Sequence, residues 1–104
     1  MDEPNVRQVV DELLTAWETG AREPRQVFED ARARWLSRRW PQAHEKGFDL
    51  ASTDVLFMLA MARDGGLMDV DIPALRGYAN AADRGSIERA QDQLYVHLQA
   101  TSRE

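Results

Sequence analysis

Few side chains in this 104-residue sequence could carry out chemistry. The chain has no cysteine, which excludes disulfides, thiol nucleophiles and zinc sites that contain cysteine. Its two histidines, His44 and His97, have no second ligand near them at a spacing that suits a metal site. The nucleophile elbow, the phosphate-binding loop and the dinucleotide-binding turn are also missing from the sequence. We therefore expect a protein without catalytic activity, metal ion or cofactor.

An acidic turn is the first feature that could bind a partner. Asp64, Asp69 and Asp71 lie around a pair of glycines. A calcium loop of the helix–loop–helix type needs acidic residues at alternate positions before its glycine and a closing glutamate, and this segment has neither. The simpler interpretation is a glycine stop for one helix and an aspartate cap, Asp71, for the next. Because such a turn is exposed and rigidly anchored, we expect these three aspartates to contact a basic partner.

The charge of the chain is unevenly distributed. The formal net charge is −5, from 13 basic and 18 acidic side chains. Residues 31–40 contain four arginines and no acid, whereas residues 41–74 contain six acids and two basic residues. An acidic segment of this kind would steer a basic partner towards the protein, with an effect that weakens as salt is added.

The basic segment, residues 32–40, interleaves arginine with tryptophan, as nucleic-acid grooves and protein hot spots do. It supplies an alternative binding patch, which consists of Arg34, Arg38, Arg39 and Trp40. The competing interpretation is that the tryptophans belong to the core, with the arginines laid over them or held in local ion pairs. The sequence leaves both interpretations open.

The elements that position these residues are predicted to be helices. Apolar residues recur at three- and four-residue spacing over residues 4–19 and again over residues 24–40. Gly20 and Pro24 separate the two patterns, since glycine ends helices and proline fits a first helical turn. Asp71 should cap a short helix, and the last helix should begin near Ser86 with a single apolar stripe.

A third helix is expected between these pairs, starting at Asp49 or Ser52 and ending at the two glycines. Residues 55–62 are apolar on every side, which predicts a helix that is buried on every side. No segment alternates apolar and polar residues as a half-buried strand does. We therefore expect an all-α fold, with residues 1–104 forming one domain: a compact bundle of four to five helices around a fully buried third helix.

The apolar content also bears on location. The chain starts Met-Asp-Glu-Pro-Asn with no apolar stretch behind it, so we expect no secretory signal. The most apolar run has eight residues, whereas a membrane-spanning helix needs about 20. We expect a soluble, cytoplasmic protein with no membrane contact.

The order of the predicted elements has a parallel in a known family. The residues that carry it are 13–20 (LLTAWETG), 27–28, 34–35, 55–57 before the acidic turn, and 71–76 (DIPALR). This layout, over roughly residues 6–98, resembles the small all-helical bacterial immunity proteins that neutralise colicin-D-type toxins. The resemblance implies a bundle that presents acidic side chains to a basic, nucleic-acid-cleaving toxin domain. It transfers no individual contact residue.

The expected function is thus a non-catalytic protein-binding module, an immunity-type inhibitor that docks an acidic surface onto a basic protein. One alternative is a small nucleic-acid-binding regulator that uses the segment 32–40. The acidity of the chain argues against it, as does a last helix with Glu88 and Asp92 against Arg89. The other alternative is a helical bundle that self-associates through an exposed Trp17 or Trp40.

Overall fold

A computed structural model describes residues 5–37, 39–42, 44–45, 49–62, 67–81 and 83–100. Within these ranges the chain forms five α-helices and one short 3-10 helix, with no strand. The α-helices are α1 (Val6–Glu18), α2 (Pro24–Ser37), α3 (Leu50–Met61), α4 (Ile72–Ala79) and α5 (Arg84–Ala100), and the 3-10 helix is Asp69–Asp71. The predicted all-α class is confirmed.

Side chains next to the helix ends explain where the helices begin and stop. Asn5 and Gln8 form a reciprocal cap at the start of α1, in which each side chain accepts the other's backbone N–H. Gly20 follows the end of α1 with a φ of 78°, a left-handed conformation that favours glycine. Asp49, rather than Ser52, caps α3 by accepting the Ser52 N–H at 3.0 Å. α3 ends at Met61, before the glycines that were predicted to stop it.

Asp83 performs the same task for α5. Its carboxylate accepts the Ser86 backbone N–H at 2.8 Å and the Ser86 hydroxyl at 3.0 Å. These bonds, led by the backbone N–H, lower the pKa of Asp83. The last helix therefore starts at Arg84, two residues before Ser86, so Ser86 lies inside its first turn.

α3 lies at the centre of the bundle and packs against α1, α2 and α4. The buried residues of α1 form the predicted single face, which is Val6, Val9, Val10, Leu13, Leu14 and Trp17. Leu56 and Leu59 of α3 are fully buried against this core. The Ser52 hydroxyl is buried as well and donates to the Ala79 carbonyl at 2.8 Å, which ties α3 to the end of α4.

The prediction that α3 is buried on every side is wrong. Leu50 is 50% exposed, Phe57 45% and Met61 49%. Spacings of seven and four residues place these three side chains on one face of the helix. α1, α2 and α4 cover the other faces, so this one faces solvent although its side chains are apolar.

α5 packs against the bundle on one side, as its single apolar stripe predicts. Leu94 is buried, and Ile87, Ala90 and Leu98 are partly buried against the core. α4 is its main neighbour. No helix in the described ranges is long and apolar enough to cross a membrane.

Leu59 and Phe57 test which side of α3 is covered. Leu59→Ala should lower the free energy of unfolding by about 2–5 kcal/mol, because it empties a fully buried site. Phe57→Ala should cost only about 1–2 kcal/mol, since much of that ring already faces water. Urea denaturation followed by circular dichroism measures both values. Equal losses in the two variants would contradict an exposed face on α3.

Candidate functional site

The acidic turn is built differently from its prediction, because Asp71 points inwards. Asp71 is fully buried. Its Oδ2 accepts the Met68 backbone N–H at 2.8 Å, and its Oδ1 lies 2.8 Å from His97 Nε2. The prediction that Asp71 contacts a partner is therefore wrong, since a buried carboxylate with two partners is not available for docking. Its side chain makes no capping bond to α4 either, and instead closes the turn before that helix.

Asp69 is exposed but also has a structural partner. The indole Nε1 of Trp17 donates to Asp69 Oδ1 at 2.8 Å. The Trp17 ring is buried and meets Phe28 edge-on, with ring centroids 5.4 Å apart. The 3-10 helix is thus fastened to α1 by one bond and to α5 by another. Asp64, the third predicted aspartate, lies outside the described residues.

A groove, which we name the turn groove, runs between the start of α2 and the 3-10 helix. Its volume is about 760 Å³, and its described lining is Glu23, Pro24, Arg25, Phe28, Leu67, Met68, Asp69 and Val70. Met68 and Val70 are exposed apolar side chains, with 52% of Val70 accessible to solvent. The groove therefore combines apolar contact area with the carboxylates of Glu23 and Asp69.

A second groove, which we name the tyrosine groove, lies between α3, α4 and α5. Its volume is about 370 Å³, and its described lining is Asp54, Met58, Tyr78, Gln91, Asp92, Leu94, Tyr95 and Leu98. The Tyr78 ring is buried, so its hydroxyl lies at the floor of the groove. That hydroxyl donates to Asp54 Oδ2 at 2.6 Å and accepts from Gln91 Nε2 at 2.9 Å. Burial, and secondly the bond to Asp54, raise the pKa of Tyr78 to about 12.

The described residues of the alternative basic patch make contacts within the protein. Arg39 is hydrogen-bonded to Glu45, and this bond lowers the pKa of the Glu45 carboxyl. Arg34 lies 3.9 Å from Glu12 of α1. Trp40 is buried, and its Nε1 donates to the Arg34 and Trp35 carbonyls at 3.3 and 3.2 Å. Trp40 is therefore part of the core, so its placement in the alternative basic patch is wrong. Arg38 lies outside the described residues.

The prediction that an exposed Trp17 or Trp40 mediates self-association is also wrong, because both rings are buried. Trp17 and Trp40 are both buried, so neither ring is exposed to a second copy of the chain. Among the described residues, the exposed large apolar side chains are instead Leu36, Leu50, Phe57, Met61, Met68, Val70, Tyr95 and Val96.

Sequence reasoning missed the tyrosine groove because its members are far apart in the chain. Tyr78 was expected to face inwards from α4, which is correct. Asp54 stands 24 residues before it and Gln91 stands 13 after it. An aspartate at the edge of an otherwise apolar run was the only local signal, and it does not identify the bonded hydroxyl.

Metal chemistry has no candidate in the described residues, where no three histidine or carboxylate side chains come together. The Asp71–His97 pair is the closest approach of a histidine to a buried acid. The Asp71 carboxyl group bonds to the Met68 N–H and to His97, so this pair connects the 3-10 helix to α5.

The stability of the protein should fall at alkaline pH through Tyr78. Its pKa is raised to about 12 in the folded protein, against about 10 in an unfolded chain. The contribution to stability is therefore complete below pH ~10 and is lost as the pH rises through about 12. A Tyr95→Phe variant leaves Tyr78 as the one tyrosine of the sequence, so the ultraviolet absorbance of the phenolate reports on Tyr78. A midpoint close to that of the urea-unfolded protein would contradict this account.

Removing the buried carboxylate tests how strongly the turn is fastened. Asp71→Ala should lower the free energy of unfolding by about 2–4 kcal/mol, because it leaves the Met68 N–H and the His97 ring without their partner. Asp71→Asn is the matched control, since an amide oxygen can still accept the Met68 N–H. We expect it to recover part of the loss in urea denaturation. A loss below about 1 kcal/mol for the alanine variant would show that the tie is unimportant.

Comparisons with known proteins found no relative of this chain. No protein-family model, no curated protein and no solved structure matches the chain.

Proposed function

We propose that this protein is a non-catalytic protein-binding module, an immunity-type inhibitor that docks an acidic and partly apolar surface onto a basic protein. The observation that carries the proposal is the turn groove. There the apolar side chains of Met68 and Val70 stand in water beside the carboxylates of Asp69 and Glu23.

The apolar part of the groove supplies the driving force for docking. Exposed apolar side chains that cluster in a concave surface gain free energy when a partner covers them. Met68 and Val70 are both exposed, and the rings and chains of Phe28 and Leu67 extend the apolar lining beneath them. A partner that places one apolar side chain in this groove would make the central, desolvated contact of the interface.

The charge of the groove selects the partner. Glu23 and Asp69 outnumber Arg25, the one cation among the described lining residues. The chain as a whole is also acidic, with a formal net charge of −5. A basic partner is attracted over a distance before contact, whereas nucleic acid is repelled.

The rigidity of the turn keeps the cost of binding low. The 3-10 helix is bonded to two other elements, to α1 through Trp17 and Asp69 and to α5 through His97 and Asp71, and the bond from the Met68 N–H to Asp71 closes the turn itself. A surface that is already ordered loses little conformational entropy when it binds. Acidic side chains on such a surface can fill the cationic cleft of a nucleic-acid-cleaving enzyme and exclude its substrate, which is inhibition without catalysis.

A charge placed in the turn groove should abolish docking without unfolding the protein. Val70→Arg replaces an exposed apolar contact with a cation that repels a basic partner. Leu36→Arg is the matched control, because Leu36 is 71% exposed near the end of α2, whereas the turn groove lies at the start of that helix. Both variants should melt within a few degrees of the original protein, as exposed substitutions usually do.

Tagged original protein and both variants are used to capture basic proteins from the cells that make the chain, and the captured protein is then purified for calorimetry. Val70→Arg should weaken its binding by about tenfold or more, whereas Leu36→Arg should leave the Kd nearly unchanged. The purified partner should cleave nucleic acid, and one equivalent of this protein should stop the cleavage. Equal binding by the two arginine variants would overturn the proposal, as would recovery of nucleic acid in place of a basic protein.

A further inference from the structure

We infer that the tyrosine groove is a receptor site for an arginine side chain of a protein partner. The inference rests on the proposed function, to which it adds a second contact and the chemistry of that contact. It is carried by Asp54, Asp92 and Tyr95 together with the apolar wall beside them.

The tyrosine groove holds two carboxylates, those of Asp54 and Asp92, whose charge the fold does not balance. Carboxylates elsewhere pair with arginines across the bundle: Asp49 with Arg7 at 2.8 Å, and Asp11 with Arg76 at 2.7 Å. Neither Asp54 nor Asp92 has an ion-pair partner in the described chain, and no basic residue is among the described residues that line the groove. Two carboxylates in one groove without a cation favour a cationic ligand.

The side chain of Asp54 is held in one orientation. Its Oδ2 accepts the Tyr78 hydroxyl, which is itself held by Gln91. A carboxylate has lone pairs on both oxygens, so the bond to Tyr78 orients Asp54 and leaves acceptor capacity for a further donor. Such an oriented carboxylate binds a guanidinium without first losing rotamer freedom.

The aromatic ring of Tyr95 forms one wall of the groove and favours arginine over lysine as the ligand. Tyr95 is 64% exposed and lines the groove. A planar guanidinium stacks on an aromatic face while its N–H groups reach carboxylates at its edge, which an ammonium does less well. Met58 and Leu98 supply apolar surface for the methylene stem of the side chain. A groove of about 370 Å³ is small enough to suit a single long side chain.

The experiment needs no identified partner. The isotope-labelled full chain is titrated with the peptide acetyl-Gly-Arg-Gly-amide and followed by NMR. The matched probe replaces arginine with citrulline, which has the same shape and no charge. The arginine peptide should produce saturable shifts at the amides of Asp54, Asp92 and Tyr95, weaker at high salt, and the citrulline peptide should bind at least about fivefold less tightly.

Single variants locate the site. Asp54→Asn keeps an acceptor for Tyr78, so the protein stays folded, and it should weaken the arginine peptide by about two- to fivefold; Asp92→Asn should do the same. Glu29→Gln, which removes an exposed carboxylate from α2, is the control and should change nothing.

Three results would overturn the inference: equal affinity for the arginine and citrulline peptides, shifts confined to other residues, or equal affinity for a lysine peptide. Val70→Arg should leave the peptide titration unchanged. If the peptide fails to bind while Val70→Arg still disrupts the partner complex, only this inference is lost. If the peptide binds and Val70→Arg has no effect on the complex, the proposed docking at the turn groove is lost instead.

Discussion

The arrangement of this protein depends on one buried carboxyl group, that of Asp71. A carboxylate without water must be surrounded by donors, or its burial costs several kcal/mol. Asp71 meets that requirement with the Met68 N–H on one oxygen and His97 Nε2 on the other. Because these two partners belong to the turn before α4 and to α5, the Asp71 side chain ties the turn and the helix together. The turn groove lies on the outer side of the same 3-10 helix, so its shape follows from a bond that no partner can reach.

The small number of helices is the second constraint, since it decides which apolar side chains stay in water. α3 has α1, α2 and α4 as neighbours and lacks a helix on its fourth side. α5 packs on one stripe, which leaves Tyr95 and Val96 outside the bundle. Among the exposed apolar side chains, Met68 and Val70 line the turn groove and Tyr95 lines the tyrosine groove. Leu50, Phe57 and Met61 lie on the uncovered face of α3.

The fold class and the helices could be predicted from the sequence because they depend on local periodicity, whereas the site depends on contacts between distant residues. The stripe of α1 and the one-sided stripe of α5 are both local patterns, and both are correct. Asp71 shows the limit. An aspartate in a turn looks the same in sequence whether it faces water or bonds to a histidine 26 residues later. Hydropathy likewise identified α3 as apolar. Whether the Phe57 side of that helix is covered depends on where α1, α2 and α4 pack, which the local sequence does not reveal.

Trp17 gives the molecule an optical reporter of its own turn. Its indole N–H bonds to Asp69 at the edge of the turn groove, while the indole of Trp40 is bonded to backbone carbonyls at the end of α2. A ligand that draws the Asp69 carboxylate towards itself changes the polarity around the Trp17 ring, whereas Trp40 and Trp35, which packs against Phe57, contribute a constant background. Intrinsic fluorescence can therefore follow occupancy of the groove in real time, without a label and in the unmodified chain.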